Sequence, residues 1–597
     1  MSGNRYHSAL ENRSTDRMRA NQRQVSGRHR VCLALLLIAM SSSSLLVWWL
    51  DGTFAERFDA GLLLLNALPL TLLTLLVCGF CGRPLFSLLV AHLLVAVLYG
   101  INAVKYEQLE RMLSVSDLAL VSQVFGNLGM FLPFLHLDWL DWLVGILLVV
   151  ALFLAWWLDR RWRPGWGWRL VLIVLPLFGL AGMMSGSWPW RGLMNDERLG
   201  GFQIWSPDTS LQRSGLLAGL LRLSWERGEG APPPNVEDLA KLDGFLAAEG
   251  SRLDALSRRQ AIQLPDIVVV QSEAMFDPAI LDDPQFDAEL PEFRRLAARG
   301  LHGRLTVPTY GGGTIRTEFE VLTGYPMDAF PGVQWPYFGL VNRPLPGWPR
   351  QLESLGYRSL LIHPYERSFW NRDSAARLLG FTELLFERDG PFANPARRGP
   401  YVSDDFLYEA SLSLLGNDRP QFEFVVTIEN HAPWATRRNV DEAERDAIPV
   451  PGSLDAAAAT SLRNYLYHLR HGDVALGRFA DKLLDRKRPT LLLVYGDHLA
   501  NMGKVFDQLG FDDDVNATRQ PTTYLVVANF PIASGQLDLA THELPAWINR
   551  LAGLPNKDYL AVSELISEKR RVSDEQEKAL LNAINRAAAL QSYHHSH

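Results

Sequence analysis

Four short β-branched runs in the second half of the chain each lead into polar residues that could bind or transform a ligand. The four runs and their polar residues are 267–270 with Gln271-Ser272-Glu273, 359–362 with His363, 422–428 with Glu429-Asn430-His431, and 490–495 with Gly496-Asp497-His498. In an open α/β sheet, ligands gather outside the carboxyl ends of the strands, so these residues are expected to meet at one edge. A single histidine or aspartate at a strand end is usually a cap or a surface group. Four such ends in one domain predict a functional site.

Glu273, Asp497 and His498 are candidate metal ligands. They offer oxygen and imidazole donors without sulfur, because the three cysteines of the chain all lie at or before residue 81. This donor set suits a divalent ion such as Mn²⁺, Mg²⁺ or Zn²⁺, and a mixed carboxylate and imidazole shell favours Mn²⁺ or Zn²⁺. The absence of cysteine also excludes a thiolate nucleophile and intradomain disulfides from the C-terminal part.

The segment that ends at Thr314 is a candidate for holding a nucleophile. Three glycines precede Thr314 and an amphipathic run that predicts a helix, and bare backbone at a helix start favours a bound anion. A threonine hydroxyl becomes an effective nucleophile when a metal ion lowers its pKa. From spacing alone, a plain helix N-cap is the simpler interpretation of Thr314. Thr309 and Thr317 are alternative hydroxyls.

The stretch 363–373 is rich in groups that bind phosphate and polyols. Arg372 can bond phosphate oxygens through two donors, and Trp370 offers a flat face to a glycerol or a sugar. An ordinary surface loop of the same composition is the alternative interpretation.

The first third of the chain contains five uncharged apolar segments, at 31–50, 60–82, 84–104, 142–158 and 170–190. A helix needs about 20 apolar residues to cross the hydrocarbon of a membrane, so these segments predict five transmembrane helices. Seven arginines lie before residue 31, and four more lie in the loop 159–169. The positive-inside rule then predicts a cytoplasmic N-terminus and an extracytoplasmic position for everything after residue 190. The more polar stretch 118–137 is predicted to be interfacial or re-entrant.

The rest of the chain alternates strand-like runs with amphipathic helical patterns, which predicts an α/β domain with a largely parallel, buried sheet. The net charge of −7 gives no support for a nucleic-acid partner. The expected organisation is an arginine-rich cytoplasmic tail at 1–30, a five-helix transmembrane domain at 31–190, a helical connector at 191–260, a catalytic α/β domain at 261–560 and a polar C-terminal tail at 561–597.

The order and spacing of five motifs resemble those of a known family. The motifs are Ser272-Glu273, Gly311-Gly312-Gly313-Thr314-x-x-x-Glu318-Phe319, His363 with Phe369-Trp370-Asn371-Arg372-Asp373, Asn430-His431-x-Pro433-Trp434, and Tyr495-Gly496-Asp497-His498. They resemble the lipoteichoic acid synthase-like branch of the alkaline phosphatase/sulfatase superfamily, which includes phosphoglycerol transferases that decorate osmoregulated periplasmic glucans. Five N-terminal spans followed by an extracytoplasmic sulfatase-like enzyme are also part of the resemblance, which extends over residues 30–560.

The resemblance implies a role for each matching residue. The implied metal ligands are Glu273, Asp497 and His498, together with Thr314, which also touches the metal. The implied glycerophosphate pocket consists of His363, Trp370, Arg372 and His431. Mn²⁺ is the expected ion, with Mg²⁺ or Zn²⁺ as alternatives. Tyr365 stands where some members carry an acidic residue, so the headgroup contacts there are expected to differ.

The implied reaction is a two-step transfer at the outer face of the cytoplasmic membrane. Thr314 attacks the phosphodiester of phosphatidylglycerol and diacylglycerol leaves, with His431 as the candidate acid. An acceptor hydroxyl on a glycan, a polyglycerolphosphate chain or a glycolipid then displaces the phosphoglycerol from the threonine. The lipid donor fits a membrane-tethered enzyme, because tethering raises the effective donor concentration at the site.

Three alternatives stay open at this point. One is a related enzyme that moves phosphoethanolamine, and another is a hydrolase of phosphate or sulfate esters. A sulfatase activity is disfavoured, because that chemistry uses a modifiable Cys or Ser in a Cys/Ser-x-Pro-x-Arg setting and no cysteine follows residue 81. The third is a non-catalytic membrane scaffold or sensor, against which the intact metal and nucleophile motifs argue.

Overall fold

The chain folds into two compact units. The computed structural model describes residues 34–52, 60–109, 139–159, 165–194, 213–225, 231–367, 369–434 and 437–595, with the short pieces 112–113, 117, 120–126, 129, 161–162 and 211. The first unit comprises Met1–Tyr106, Arg111–Val115 and Leu135–Gly228, and the second comprises Glu107–Glu110, Ser116–Phe134 and Glu229–His597. The predicted cytoplasmic tail 1–30 lies outside the described residues.

Five helices among the described residues are long and apolar enough to cross a membrane, as the sequence predicts. The helices of this part of the chain are α1 Ala34–Asp51, α2 Ala60–Cys81, α3 Pro84–Leu109, α4 Val121–Gly126, α5 Trp139–Leu158, α6 Trp166–Ser185, α7 Trp190–Met194 and α8 Leu216–Trp225. The fifth apolar helix, α6, ends before the predicted residue 190, because Gly186 adopts a left-handed conformation that terminates it.

The second unit is an α/β domain, as predicted. Its helices are α9 Val236–Ser257, α10 Pro291–Ala297, α11 Thr314–Thr323, α12 Pro336–Gly339, α13 Trp348–Ser354, α14 Arg372–Leu379, α15 Asp404–Leu414, α16 Glu442–Asp446, α17 Ala456–Leu484, α18 Gly503–Leu509, α19 Leu544–Leu551, α20 Tyr559–Arg570 and α21 Glu575–His594. Its strands are β1 Asp266–Ser272, β2 Leu301–Thr306, β3 Arg358–His363, β4 Glu383–Phe386, β5 Arg397–Arg398, β6 Tyr401–Val402, β7 Gln421–Val426, β8 Thr490–Gly496, β9 Thr522–Ala528, β10 Gly535–Gln536 and β11 Leu539–Ala540.

The main sheet runs in the order β10-β2-β9-β8-β1-β7-β3-β4, with β11 also paired to β2. The five strands β8, β1, β7, β3 and β4 are mutually parallel, while β9 is antiparallel to β8 and β2 is antiparallel to β9. Strand β1 is central, so the residues that follow β8, β1, β7 and β3 emerge at the same edge. The four polar clusters predicted from the sequence all follow strands of this parallel set.

Both faces of the sheet are covered by apolar side chains. Ile267 and Val269 of β1 face one core cluster, and Val268 and Val270 face the other. All four residues are fully buried. Burial on both faces explains why the strands read as continuous β-branched runs rather than as an alternating pattern.

The predicted boundaries of the catalytic part need correction at both ends. The connector predicted for 191–260 is divided between the two units, and its helix α9 belongs to the α/β domain. The stretch 561–597 is not a polar tail, because α21 buries Leu581, Ile584 and Tyr593 in the main core. The sequence analysis gave weight to the charged residues of this helix and missed its apolar face.

Candidate active site

Glu273, Asp497 and His498 lie together at the carboxyl edge of the sheet. Strands β1 and β8 pair in parallel with Ser272 opposite Gly496, so Glu273 and Asp497 each follow the paired ends directly. One potential ligand atom from each of the three residues lies within 4.8 Å of the others. His498 Nε2 is 3.5 Å from Glu273 Oε1 and 3.4 Å from Asp497 Oδ2. The metal-ligand set proposed from the sequence is therefore assembled in space.

The environment of these three side chains suits a cation. His498 Nδ1 donates to the Leu499 carbonyl at 2.9 Å, so the Nε2 lone pair is available for a ligand bond. His498 Nε2 and Asp497 Oδ2 are both buried without a hydrogen-bond partner among the described residues. Burial, and after it the charge of Asp497, raises the pKa of Glu273 well above its ordinary value. A divalent ion bound here would satisfy the orphaned atoms and offset the clustered negative charge.

Neighbouring backbone groups hold the carboxylates in place. Asp497 Oδ1 accepts a hydrogen bond from the Ala274 amide at 2.9 Å, and the Glu273 amide donates to Thr427 Oγ1 at 3.0 Å. Gly496 allows the two loops to approach, because a Cβ there would lie 1.7 Å from the Met275 carbonyl oxygen. Only glycine fits at the position before Asp497.

Thr314 begins α11 directly beside this cluster. Gly311, Gly312 and Gly313 all have positive φ angles, of 68°, 150° and 76°, which explains the run of three glycines before the helix. The N-cap position is taken by Gly313 rather than by Thr314, so the simple capping interpretation of Thr314 is wrong. Burial raises the pKa of Asp497, and the Thr314 side chain lies close enough to oppose part of that rise.

The two alternative hydroxyls are committed to backbone carbonyls. Thr309 Oγ1 donates to Gly312 O at 2.6 Å, and the fully buried Thr317 donates to Asp497 O at 2.7 Å. Each therefore stabilises the loop that carries a neighbouring candidate group. Of the three hydroxyls, that of Thr314 lies close enough to a candidate ligand carboxylate, Asp497, to affect its pKa.

Arg372 is fully buried and paired with Glu318. Its Nε and Nη2 atoms donate to the Glu318 carboxylate at 3.1 Å and 2.6 Å. Although burial lowers the pKa of Arg372, the Glu318 charge raises it above the ordinary value. The sequence analysis expected Arg372 to bind phosphate through two donor atoms, but Glu318 occupies the bidentate edge. The buried Nη1 atom, which has no hydrogen-bond partner among the described residues, remains for a ligand.

His363, His431 and Arg372 lie within electrostatic reach of one another. Burial lowers the pKa of His363 well below its ordinary value, and Arg372 and His431 add to the shift. Burial also lowers the pKa of His431 to about 4, with a smaller contribution from His498. Both rings are therefore neutral at pH 7. The structure thus brings His363, Arg372 and His431 together and places His431 near the candidate metal ligand His498.

The tautomers of the two pocket histidines follow from their neighbours. His363 Nδ1 lies 3.2 Å from the Val426 carbonyl oxygen, and His431 Nδ1 lies 2.5 Å from the Ala432 carbonyl oxygen. Because a carbonyl oxygen can only accept, Nδ1 carries the proton in each ring and Nε2 is left as an acceptor. A neutral His431 of this tautomer accepts hydrogen bonds and is not a ready proton donor.

Aromatic side chains line the same region. Trp370 follows β3 on an irregular turn, and its ring packs against Trp335 with centroids 4.7 Å apart. Tyr365 packs against Phe369 and Tyr401, at centroid distances of 5.2 Å and 6.3 Å. The position where the resemblance anticipates an acidic residue in some members is thus part of an aromatic cluster in this chain.

Several hydrogen bonds and ion pairs that support the candidate site were not predicted from the sequence. Glu318 was part of a motif but had no assigned role, and its second partner, Tyr337, donates to it at 3.0 Å. Glu429 was counted among the reactive strand ends, yet it forms a buried pair with Arg398 at 2.8 Å. Its carboxylate also accepts from the Asp404 amide at 2.8 Å. Spacing carries no signal for these pairs, because their members are far apart in the chain.

The comparison with known families agrees with this geometry. Residues 265–532 match the sulfatase family. This part of the chain is a sulfatase domain. The matched residues contain strands β1 to β9, the glycine turn and all eight candidate site residues. The predicted relationship to lipoteichoic acid synthase-like proteins is confirmed by a lipoteichoic acid synthase-like protein of Bacillus subtilis, YvgJ, which is 25% identical over 32% of this chain and 32% of its own.

Two other relatives are named for the modification of a glucan and for the biosynthesis of a capsular polysaccharide. A candidate cyclic β-1,2-glucan modification protein of Rhizobium meliloti is 29% identical over 43% of this chain and 39% of its own. The capsular polysaccharide biosynthesis protein RkpI of the same organism is 33% identical over 40% of this chain and 41% of its own. The matched stretches thus span about two fifths of these relatives.

Two solved structures share the fold. The Streptococcus pyogenes phosphoglycerol transferase GacH, in complex with sn-glycerol-1-phosphate, has a TM-score of 0.50 and 21% identity, and the match covers 61% of this chain and 94% of GacH. The integral membrane lipooligosaccharide phosphoethanolamine transferase EptA of Neisseria meningitidis has a TM-score of 0.51 and 13% identity, covering 88% of this chain and 97% of EptA. The EptA match includes the apolar helices, so the fold of apolar helices followed by a sulfatase domain is confirmed.

Proposed function

We propose that this protein is a membrane-bound, metal-dependent phosphoglycerol transferase that takes glycerophosphate from phosphatidylglycerol. The observation that carries the proposal is the position of Thr314 beside Asp497 of the buried cluster of Glu273, Asp497 and His498, on a helix that Thr317 ties to the Asp497 carbonyl at 2.7 Å. A hydroxyl held against candidate metal ligands is the arrangement that a phosphoryl-transfer nucleophile requires. The non-catalytic scaffold is disfavoured, because a scaffold has no need for the buried Asp497 Oδ2 and His498 Nε2 atoms, which have no hydrogen-bond partner among the described residues.

The reaction has two balanced halves. In the first, Thr314 Oγ1 releases its proton and bonds to the phosphorus of the donor, the bond from phosphorus to the diacylglycerol oxygen breaks, and that oxygen takes up a proton. In the second, the oxygen of an acceptor hydroxyl bonds to the phosphorus and its proton is released. The bond from phosphorus to Thr314 then breaks, and the threonine regains a proton. A divalent ion held by Glu273, Asp497 and His498, with Mn²⁺ proposed and Mg²⁺ or Zn²⁺ as alternatives, supplies charge that lowers the pKa of the threonine hydroxyl.

The headgroup pocket is proposed to consist of His363, Trp370, Arg372 and His431. Arg372 Nη1 provides a buried positive charge for the phosphate, and Trp370 offers a face for the glycerol. His431 is neutral and presents Nε2 as an acceptor, so it is assigned to a headgroup hydroxyl. It can serve as the acid for diacylglycerol only after it has taken up a proton.

The acceptor is proposed to be an extracytoplasmic glycan, a polyglycerolphosphate chain or a glycolipid. The names of the Rhizobium meliloti relatives, which refer to cyclic glucan and capsular polysaccharide, support a surface glycan. The proposed location is the cytoplasmic membrane with the N-terminus inside and the sulfatase domain outside. The arginines before residue 31 and in the loop 159–169 support this orientation.

The experiment that tests the proposal measures diacylglycerol release from phosphatidylglycerol vesicles by the purified full-length protein with Mn²⁺. Wild type is expected to release diacylglycerol and Thr314→Ala to release none, while Thr314→Ser keeps part of the activity because it keeps a hydroxyl. Thr460→Ala, on an exposed face of α17, is the matched control and should behave as wild type. Mass spectrometry of trapped protein should find a glycerophosphate adduct on the peptide that contains Thr314.

Two results would contradict the proposal. Undiminished release by Thr314→Ala would remove this residue as the nucleophile. Consumption of phosphatidylethanolamine but not phosphatidylglycerol would favour a phosphoethanolamine transferase in place of the phosphoglycerol transferase.

A further inference from the structure

The end of apolar helix α3 and part of the chain between α3 and α5 belong to the same compact unit as the sulfatase domain. Residues Glu107–Glu110 and Ser116–Phe134 are grouped with Glu229–His597. The stretch 118–137 was predicted from the sequence to be interfacial or re-entrant. The described residues of these two pieces instead contact the loops that carry the candidate nucleophile, the metal ligands and the headgroup pocket.

The first contact is made to the backbone of Trp370. The Trp370 amide donates to Gln123 Oε1 at 2.9 Å. Trp370 and Asn371 have φ angles of 59° and 56°, a left-handed conformation that non-glycine residues seldom adopt. Asn371 Nδ2 donates to the Tyr337 carbonyl at 2.9 Å, so this strained pair is held from two sides.

The second contact is made to Trp335, whose ring packs on Trp370. Trp335 Nε1 donates to Asp117 Oδ1 at 2.8 Å, and Leu120 packs against the core cluster that contains Trp335. Arg316, two residues after Thr314, donates to the Gln334 carbonyl at 3.0 Å. The loop of Trp335 is thus tied both to the helix of the candidate nucleophile and to the stretch between α3 and α5.

The third contact lies beside the glycine turn and the metal ligands. Asn501, three residues after His498, donates through Nδ2 to the carbonyls of Glu107 and Gln108 at 2.6 Å and 2.7 Å. A Cβ on Gly311 would lie 2.6 Å from the Gln108 carbonyl oxygen, so the turn and this backbone are in close approach. The end of α3 therefore contacts the glycine turn before Thr314, and the stretch after it contacts Trp335 and Trp370.

We propose that Glu107, Gln108, Asp117, Leu120 and Gln123 form a wall of the donor pocket, and that Gln123 is a positioning residue that fixes Trp370 for the headgroup of a glycerophospholipid. This inference rests on the proposed function. In this proposal the headgroup is recognised partly by residues that lie between the start of α3 and α5, outside the sulfatase domain. Gln123 acts through Trp370 and does not itself touch the reacting atoms.

The test uses the full-length protein in lipid nanodiscs and two independent measurements. Hydrogen exchange of the peptide that contains Trp370 reports the contact whether or not the lipid is a substrate. Gln123→Ala should speed exchange there, while Gln123→Glu, which keeps an acceptor oxygen, should restore protection. Gln285→Ala, an exposed glutamine on the sulfatase domain, is the control and should leave exchange unchanged.

The second measurement is diacylglycerol release as the fraction of phosphatidylglycerol in the bilayer is varied. Gln123→Ala should raise the apparent KM by about threefold to tenfold, the effect of one lost hydrogen bond, with little change in kcat. Unchanged exchange at Trp370 would overturn the contact. Faster exchange with an unchanged KM would overturn the positioning role.

If wild type releases no diacylglycerol, the proposed function fails and the exchange result still decides whether the wall exists. Unaltered exchange in strands β1 and β8 shows that a variant is folded.

Discussion

Glu318 accepts hydrogen bonds from both Nε and Nη2 of Arg372, and neither side chain is exposed to solvent by more than 2%. Glu318 lies one helical turn after Thr314 on α11, and Arg372 is the first residue of α14. The pair therefore joins the helix of the candidate nucleophile to the helix that begins in the headgroup pocket. It fixes the separation between the attacking hydroxyl and the arginine that is proposed to hold the phosphate.

Removal of one partner from this buried pair should be costly. Glu318→Gln leaves the Arg372 charge buried without a counter-charge, and we expect a loss of about 3–5 kcal/mol of stability and of most donor turnover. The thermal unfolding midpoint of the full-length protein measures the first effect. Asp481→Asn, which breaks an exposed pair with Arg295, is the control and should cost under about 1 kcal/mol. Equal midpoints for the two variants would contradict the prediction.

Metal binding should stabilise the protein more at neutral than at acidic pH. Burial, together with Asp497, raises the pKa of Glu273 above its ordinary value of 4.5, so the folded metal-free protein favours the protonated carboxyl. The free energy of unfolding of the metal-free protein should therefore fall as the pH rises from 4.5 through the raised pKa of Glu273. A bound ion removes this loss, because it stabilises the ionised carboxylate. Thermal unfolding with EDTA or with Mn²⁺ should show a larger difference at pH 7.5 than at pH 5. A difference that persists in Glu273→Gln with Asp497→Asn would show that the ion binds elsewhere.

Glu423 on β7 should destabilise the protein at neutral pH. Burial raises its pKa from 4.5 to about 8, and Ser411 Oγ donates to it at 2.6 Å. Because the pKa of Glu423 is higher in the folded than in the unfolded chain, its destabilising effect is absent below pH 4.5. The loss of unfolding free energy then grows until the pH reaches about 8. Glu423→Gln should raise stability at pH 7 by about 2–3 kcal/mol and have little effect at pH 4.5. Glu409→Gln, an exposed neighbour on α15, serves as the control, and an identical gain at both pH values would exclude titration as the cause.

Two adjacent leucines on α21 should differ in their contribution to stability. Leu581 is 3% exposed and packs in the main core, whereas Leu580 is 43% exposed. Leu581→Ala should cost about 2–5 kcal/mol through lost burial and the cavity left behind, and Leu580→Ala should cost under about 1 kcal/mol. Thermal unfolding of the two variants makes the comparison. Similar midpoints would mean that this helix does not belong to the core.

The metal-ligand cluster could be predicted from the sequence because each of its residues directly follows a recognisable strand. Glu273 and Asp497 each follow a β-branched run, and parallel neighbouring strands must end at the same edge. The glycines before Thr314 were recognisable for a similar reason, since positive φ angles leave a direct signal in residue type. The five apolar helices were equally easy to predict, because composition alone distinguishes them.

Pairings between distant residues left no such signal. Glu318 and Arg372 were both noted, yet nothing in their spacing indicates that they bond to each other rather than to a ligand. The apolar face of α21 was hidden by its charged residues, and its burial depends on a core assembled from the whole domain. Gln123 sits in a stretch whose composition suggests an interface, and only the folded chain places its side chain against Trp370.

The contacts of Gln123 and Asp117 have a practical consequence for recombinant work. A fragment that starts at residue 229 would contain every motif of the sulfatase domain and would be a natural choice for expression without detergent. It would lack the acceptors of the Trp370 amide and the Trp335 indole, which come from earlier in the chain. An inhibitor screen on such a fragment would then select compounds against a binding cleft with one side missing.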